Sequence, residues 1–184
     1  MQQDELPKRK SMRQHGYDYS HAGYYFITFC TKDKQPLLGK IAVGDAPPRV
    51  PHYNPHTAHT LHDIIIPHCI LTEYGVFVDA LIQKTSSIYT DAIIDKYIIM
   101  PNHIHMVISI ADNGTRGGAS PTKALIPKII QSIKSMTTKH FGHNLWQRSY
   151  HDHIIRNEVD YKQIWHYIDN NPAKWAEDCY NTNS

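Results

Sequence analysis

Two histidines one residue apart, and a tyrosine far downstream of them, are the side chains of this protein best suited to chemistry. His103 and His105 lie in Tyr97-Ile98-Ile99-Met100-Pro101-Asn102-His103-Ile104-His105-Met106-Val107-Ile108, which reads as a strand, a two-residue turn and a second strand. Side chains alternate along a strand, so the two imidazoles share one face while Ile104, Met106 and Ile108 share the other. With about 6–7 Å between their Cα atoms, both rings can converge on one metal ion. Any His-x-His also admits a plainer reading, a pair of half-exposed strand histidines. With 14 histidines in the chain, geometry has to decide between the two.

Tyr167 belongs to a C-terminal helix whose expected core stripe is Tyr161, Ile164, Trp165 and Ile168. It lies off that stripe, and Gln163 and Asn171 sit four residues either side of it, so all three project from one side of the helix. A phenol beside a carboxamide is a candidate nucleophile next to a candidate metal ligand. Taken alone, an exposed helix tyrosine is ordinary surface, and Gln163 reads as surface too. Trp146 and Trp165 read as core.

The elements that must carry these groups are legible. Residues 22–31 (AGYYFITFCT) are aromatic and β-branched and form a first strand. Thr72 caps a helix, with Glu73 in its first turn, Leu71 placed to staple onto Val76, and an apolar stripe of Val76, Phe77, Ala80 and Leu81. Strands follow at about 96–100 and 103–110, joined by Pro101-Asn102. A loop over 111–120 leads to a second helix from about Ile126 to His140, with Pro127 in its first turn. Ile126, Ile129, Ile130 and Ile133 face its core, while Lys128, Ser132, Ser135 and Lys139 line the outer side. Residues 150–156 (YHDHIIR) form a fourth strand, and Asn157 caps the last helix, with Glu158 and Asp160 suiting its dipole. The order is an α+β, ferredoxin-like β-α-β-β-α-β plan with an additional C-terminal helix that bears the tyrosine. In that plan the third strand is central, which sends Ile104, Met106 and Ile108 into the helices and His103 and His105 to an open face. Residues 43–69, rich in proline and carrying His52, His56, His59, His62 and His68, read as a surface insertion.

Composition limits the rest. The chain has 184 residues, enough for one domain with a sizeable core. It has no apolar run of the roughly 18 residues that a membrane span needs, and no signal-peptide pattern. Three scattered cysteines fit a reducing cytoplasm and argue against a zinc ribbon or a disulfide scaffold. Net charge is only +2, but Lys8, Arg9, Lys10 and Arg13 cluster in a basic arm over residues 1–21 that can meet phosphate. Residues 22–175 form the domain proper, and 176–184 a tail.

Five segments in register give the chain a family likeness. They are Arg9-Lys10-Ser11-Met12-Arg13 with Tyr17-Asp18-Tyr19-Ser20, and Gly23-Tyr24-Tyr25-Phe26-Ile27-Thr28. Met100-Pro101-Asn102-His103-Ile104-His105 and residues 146–156 follow, then Tyr167-Ile168-Asp169-Asn170-Asn171-Pro172. In these the chain resembles the single-tyrosine transposases with a His-hydrophobic-His motif, the IS200-like superfamily, and within it the REP-associated tyrosine transposases. The departure is the 43–69 insertion.

The resemblance implies that His103 and His105 hold Mg2+ or Mn2+, with Asn171 as third ligand and Tyr167 as nucleophile. It implies cleavage and rejoining of single-stranded DNA at hairpins through a 5′-phosphotyrosine, with no nucleotide cofactor. Lys8, Arg9, Lys10, Arg13 and Arg156 are the expected DNA contacts, and His153 supports the site. Ligand type alone would also suit Zn2+ or other transition ions. The expected setting is the cytoplasm, at the nucleoid, and a homodimer is compatible with the pattern. Two alternatives stay open at this point. His151 and His153 share a strand face and could bind the metal instead. A non-catalytic nucleic-acid binder could use an open ferredoxin-like sheet, stacking bases on it.

Overall fold

The computed structural model describes residues 22–44, 66–111 and 125–181. Within these lie β1 (Gly23–Cys30), β2 (Gly39–Gly44), β3 (Ile66–Leu71), α1 (Glu73–Ile88), β4 (Ala92–Ile99), β5 (His103–Ile110), α2 (Leu125–Phe141), β6 (His151–Ile155) and α3 (Glu158–Asn170). Four strands make one antiparallel sheet in the order β4-β5-β1-β6. The histidine strand β5 is thus interior, between β1 and β4, as expected. β2 and β3 pair with each other outside that sheet. Both ends of the stretch read as an insertion are therefore strand, and its middle, with His52, His56, His59 and His62, lies outside the described residues.

Alternation along the interior strands divides the core in two. Tyr25, Ile27 and Phe29 of β1 and Ile104, Met106 and Ile108 of β5 are buried under α1 and α2, where Ile126, Ile129, Ile130 and Ile133 meet them as the spacing predicts. On the other face Val107 and Ile155 pack against Ile164 and Ile168 of α3, with Phe26, Ile98 and Tyr161 alongside. That face is not open. α3 covers it, because the apolar side of an amphipathic helix is most stable against apolar sheet.

Two local expectations change. Thr72 does cap α1, its hydroxyl accepting from the Gly75 amide and donating to the Leu37 carbonyl. The buried face, however, is Gly75, Val78, Ile82 and Thr85, and Val76 is exposed. α1 approaches Leu38 so closely at Gly75 that a Cβ there would strike the Leu38 carbonyl oxygen. Trp146 is core as expected; Trp165 is only half-buried.

α3 is fastened to the edge strand β4 at two levels. The Tyr161 hydroxyl donates to Asp95, and Lys96 reaches Asp169 at 2.6 Å with its ammonium 3.8 Å from the centre of the Trp165 ring. A β-bulge between Ile94 and Lys96 re-aims the strand at this point. Asn157 caps α3, its side-chain oxygen accepting from the Asp160 amide at 2.9 Å.

Candidate active site

His103 and His105 are almost wholly buried beneath α3 and the segment after it. Their Nε2 atoms stand 3.0 Å apart. Asn102 fixes the state of the first ring. Its amide nitrogen donates to the carbonyls of Lys34 and Tyr180, which turns its oxygen toward His103 Nδ1 at 2.9 Å. An amide oxygen only accepts, so Nδ1 of His103 carries the proton and Nε2 the lone pair. The Thr28 hydroxyl on β1 lies 2.7 Å from Nδ1 of His105 and the Tyr167 hydroxyl 3.2 Å from its Nε2, and each hydroxyl can donate or accept. Phe26 stacks on the His105 ring and meets the Tyr167 ring edge-on.

Oxygen donors surround this pair of lone pairs. Asn171, the C-cap of α3, is buried; its Nδ2 donates to Asp178 at 3.1 Å, and among the described residues its Oδ1 makes no close hydrogen bond. Ligand atoms of His103, His105 and Asp178 lie within 4.8 Å of one another. The Tyr180 amide steadies the other Asp178 oxygen at 2.7 Å. These residues fit a divalent cation. At 3.0 Å the two Nε2 atoms share a proton, His105 donating to the His103 lone pair, or turn both lone pairs to one cation. That separation also suits two nitrogens at right angles, each about 2.1 Å from one ion. An orphaned buried amide oxygen supplies a further donor, since such an atom rarely stays unsatisfied.

The electrostatics fit the same reading. Burial pushes His103 down to about 4, against a smaller upward pull from the Asp178 carboxylate, and burial with the neighbouring His103 pushes His105 down as well. Both rings are therefore neutral, as metal ligands must be. Tyr167 is 41% exposed, yet burial of its hydroxyl end and then the Asp178 charge raise it to about 12.

The segment after α3, read as a tail beyond residue 175, packs on the site through residue 181. The rings of Trp175 and Tyr180 lie against His103, and Lys34 donates to the Cys179 carbonyl at 2.9 Å. This segment supplies Asp178, which the sequence reading missed. The only signal was an acidic residue soon after the Asn171-Pro172 break.

Of the expected site residues, His103, His105, Tyr167 and Asn171 come together. His153 lies apart on the edge strand β6, paired to Asp160 at 2.9 Å, and His151 beside it is exposed. The grouping of metal-type ligands found among the described residues is His103, His105 and Asp178, not the β6 pair. Arg156 follows β6, with its backbone amide on Asp160. Lys8, Arg9, Lys10 and Arg13 lie outside the described residues. No described helix is long and apolar enough to cross a membrane.

Fold and site together define an α+β protein with a buried His-x-His pair on an interior strand and a tyrosine helix laid over it. No family model matches the chain. A protein of Haemophilus influenzae, described as uncharacterized, is 30% identical over 187 residues, covering 92% of this chain and 91% of its own. The chain belongs to the same family as that protein. Among solved structures, a REP-associated tyrosine transposase bound to a REP hairpin matches at TM-score 0.56 and 19% identity, over 91% of this chain and 74% of that one. The likeness first visible in the motifs thus extends to the fold.

Proposed function

We propose that this protein cleaves and rejoins single-stranded DNA beside hairpins by transesterification, with Tyr167 as nucleophile. The observation that carries this reading is the Tyr167 hydroxyl 3.2 Å from Nε2 of His105, beside the second lone pair on His103. Support also comes from the ferredoxin-like order of the sheet and from the transposase that shares the fold, which was solved on a hairpin. His103 and His105 would hold Mg2+ or Mn2+, with Asn171 and Asp178 as the oxygen donors. When bound, such an ion supplies positive charge for the phosphate's non-bridging oxygens.

The chain's own groups do the rest. The phenol gives up its proton to solvent and its oxygen attacks phosphorus, and solvent returns a proton to the departing oxygen. The O–P bond forms and the P–O3′ bond breaks, leaving a 5′-phosphotyrosine and, once the departing oxygen is protonated, a 3′-hydroxyl. The reverse attack by another 3′-hydroxyl rejoins strands without a nucleotide cofactor, because the phosphotyrosine conserves the ester's energy. Phe26, packed on both rings, keeps the phenol and His105 in register. Lys8, Arg9, Lys10, Arg13 and Arg156 are the proposed phosphate contacts, and His153 supports the Arg156 turn through Asp160. A non-catalytic binder that stacks bases on an open sheet finds no such surface, since α3 covers the face that would serve.

The test is covalent trapping. The protein is incubated with hairpin-bearing single-stranded DNAs and Mn2+ or Mg2+, and adducts are mapped by peptide mass spectrometry. A chelator-sensitive adduct on Tyr167 is expected. An adduct on another tyrosine would sink the site, and binding without any adduct would sink the chemistry.

A further inference from the structure

Beside Tyr167, α3 and the segment after it line a cleft of about 460 Å3. That is the size of a small-ligand site, about 300–1,000 Å3. Gln163, His166, Asn170 and Lys174 line it together with Tyr167 and Asn171. The first three of these lie on one side of α3, because residues three, four and seven apart fall on one helix face. Their chemistry is uniform in one respect: two carboxamides and an imidazole, each offering both donor and acceptor atoms. The Asn170 amide nitrogen donates to the His166 carbonyl at 2.7 Å, which leaves its oxygen facing outward. Gln163 is exposed on the same face. Lys174 adds one cation, and Glu177 and Asp178, the latter also beside the histidines, add two carboxylates.

Phosphate alone does not call for this lining. A bare phosphate site favours lysines, arginines and backbone amides, whereas side-chain amides with paired donor and acceptor are what read a base edge. The cleft also lies where a nucleotide must pass if Tyr167 attacks its phosphate. We infer that the cleft beside Tyr167 holds the nucleobase next to the scissile phosphate, read by Gln163 with Asn170 and His166. This rests on the proposed strand-transfer reading and deepens it: these side chains select the cleavage position, while the histidine pair serves any sequence. Lys174 meets the flanking phosphate and carries no sequence information.

The experiment uses the full-length protein and a pool of single-stranded hairpin DNAs randomised at the nucleotides flanking the cleavage position. Sequencing of the Tyr167-linked and released strands gives a preference at each position. Wild-type protein is expected to favour one base at one flanking position by about fivefold or more, the discrimination that a good bidentate contact gives. Gln163→Ala should reduce that ratio to within about twofold at that position alone. Lys174→Gln should instead lower adduct yield for all sequences equally and leave the ratio intact. The inference is overturned if wild-type protein shows no flanking preference, or if Gln163→Ala and Asn170→Ala both retain it. Gln163→Glu, which keeps the shape but loses the donor, separates reading from folding: a changed preferred base supports readout, and an unchanged one argues against it. Failure to form any wild-type adduct would strike the underlying reading instead.

Discussion

The Tyr167 hydroxyl and Nε2 of His105 are 3.2 Å apart, a hydrogen bond at the ring nitrogen whose lone pair a metal would need. A lone pair can be given once. The Tyr167–His105 hydrogen bond and coordination of that nitrogen are therefore mutually exclusive, so filling the site must change the phenol's surroundings. Titration with Mn2+ should give a tyrosine ultraviolet difference spectrum that saturates with binding. The signal should vanish in Tyr167→Phe, although that variant still binds the ion. A difference spectrum of equal size in the variant would place the effect on another tyrosine.

Asp178 acts on two neighbours at once. Its carboxylate lies with the histidine nitrogens, and it is the second cause, after burial, of the raised Tyr167 value. Asp178→Asn should weaken Mn2+ binding, read by electron paramagnetic resonance, by at least about tenfold. In the metal-free protein the same change should lower the Tyr167 pKa, seen as phenolate absorbance appearing at lower pH. An unaltered affinity would show that Asn171 completes the site alone.

Acid should loosen the fold through the buried pair. A free imidazole titrates near 6.5, whereas burial holds His103 at about 4. Between those values the unfolded chain binds more protons than the folded one, so stability falls as pH falls. The contribution is complete above about pH 6.5 and gone below about pH 4, and His105 shifts in the same direction. Urea midpoints for the wild type should drop more steeply from pH 7 to pH 5 than those of His103→Gln. Parallel curves would mean that His103 is not buried neutral.

The clamp on α3 should be unequal in its two halves. The Lys96 side chain is 9% exposed and that of Asp169 58% exposed. Asp169→Asn leaves a buried ammonium with only the Trp165 ring, and should cost about 1–3 kcal/mol. Lys96→Met keeps the apolar contact with Trp165 and removes the buried charge, and should cost less, under about 1 kcal/mol. Urea denaturation of both decides it, and the reverse order would show that the pair is energetically a surface bridge.

Gly75 should tolerate nothing larger. A Cβ meets the Leu38 carbonyl oxygen, which is backbone and also accepts from the Thr72 amide at 3.0 Å, so it cannot simply swing away. Gly75→Ala should cost about 1–3 kcal/mol despite its better helix propensity. A gain in stability would show that α1 can slide.

What the chain discloses in advance follows from the range of the forces involved. The facing of His103 and His105 depends on strand alternation, and the projection of Tyr167 from α3 on helical periodicity, both local properties. Caps such as Thr72 and Asn157 are equally local. The buried face of α1 was misread because two of its members, Gly75 and Thr85, are chosen for close approach rather than for hydropathy. The pairing of β2 with β3 joins residues separated by an uninformative stretch. Asp178 reaches the histidines only because the chain folds back after Pro172, a tertiary event with no periodic signature. For the same reason the histidine face looked open, since nothing local says that α3 returns to cover it.

The place of β5 inside the sheet has a further consequence. Its amides are bonded on both sides, to β1 and to β4, whereas α3 rests on one sheet face and a few fastenings. Amide exchange should therefore be slowest along β5 and faster along α3, the histidine strand opening only with the whole molecule. Opening of α3 alone would withdraw Tyr167 and Asn171 and leave His103 and His105 fixed in the sheet.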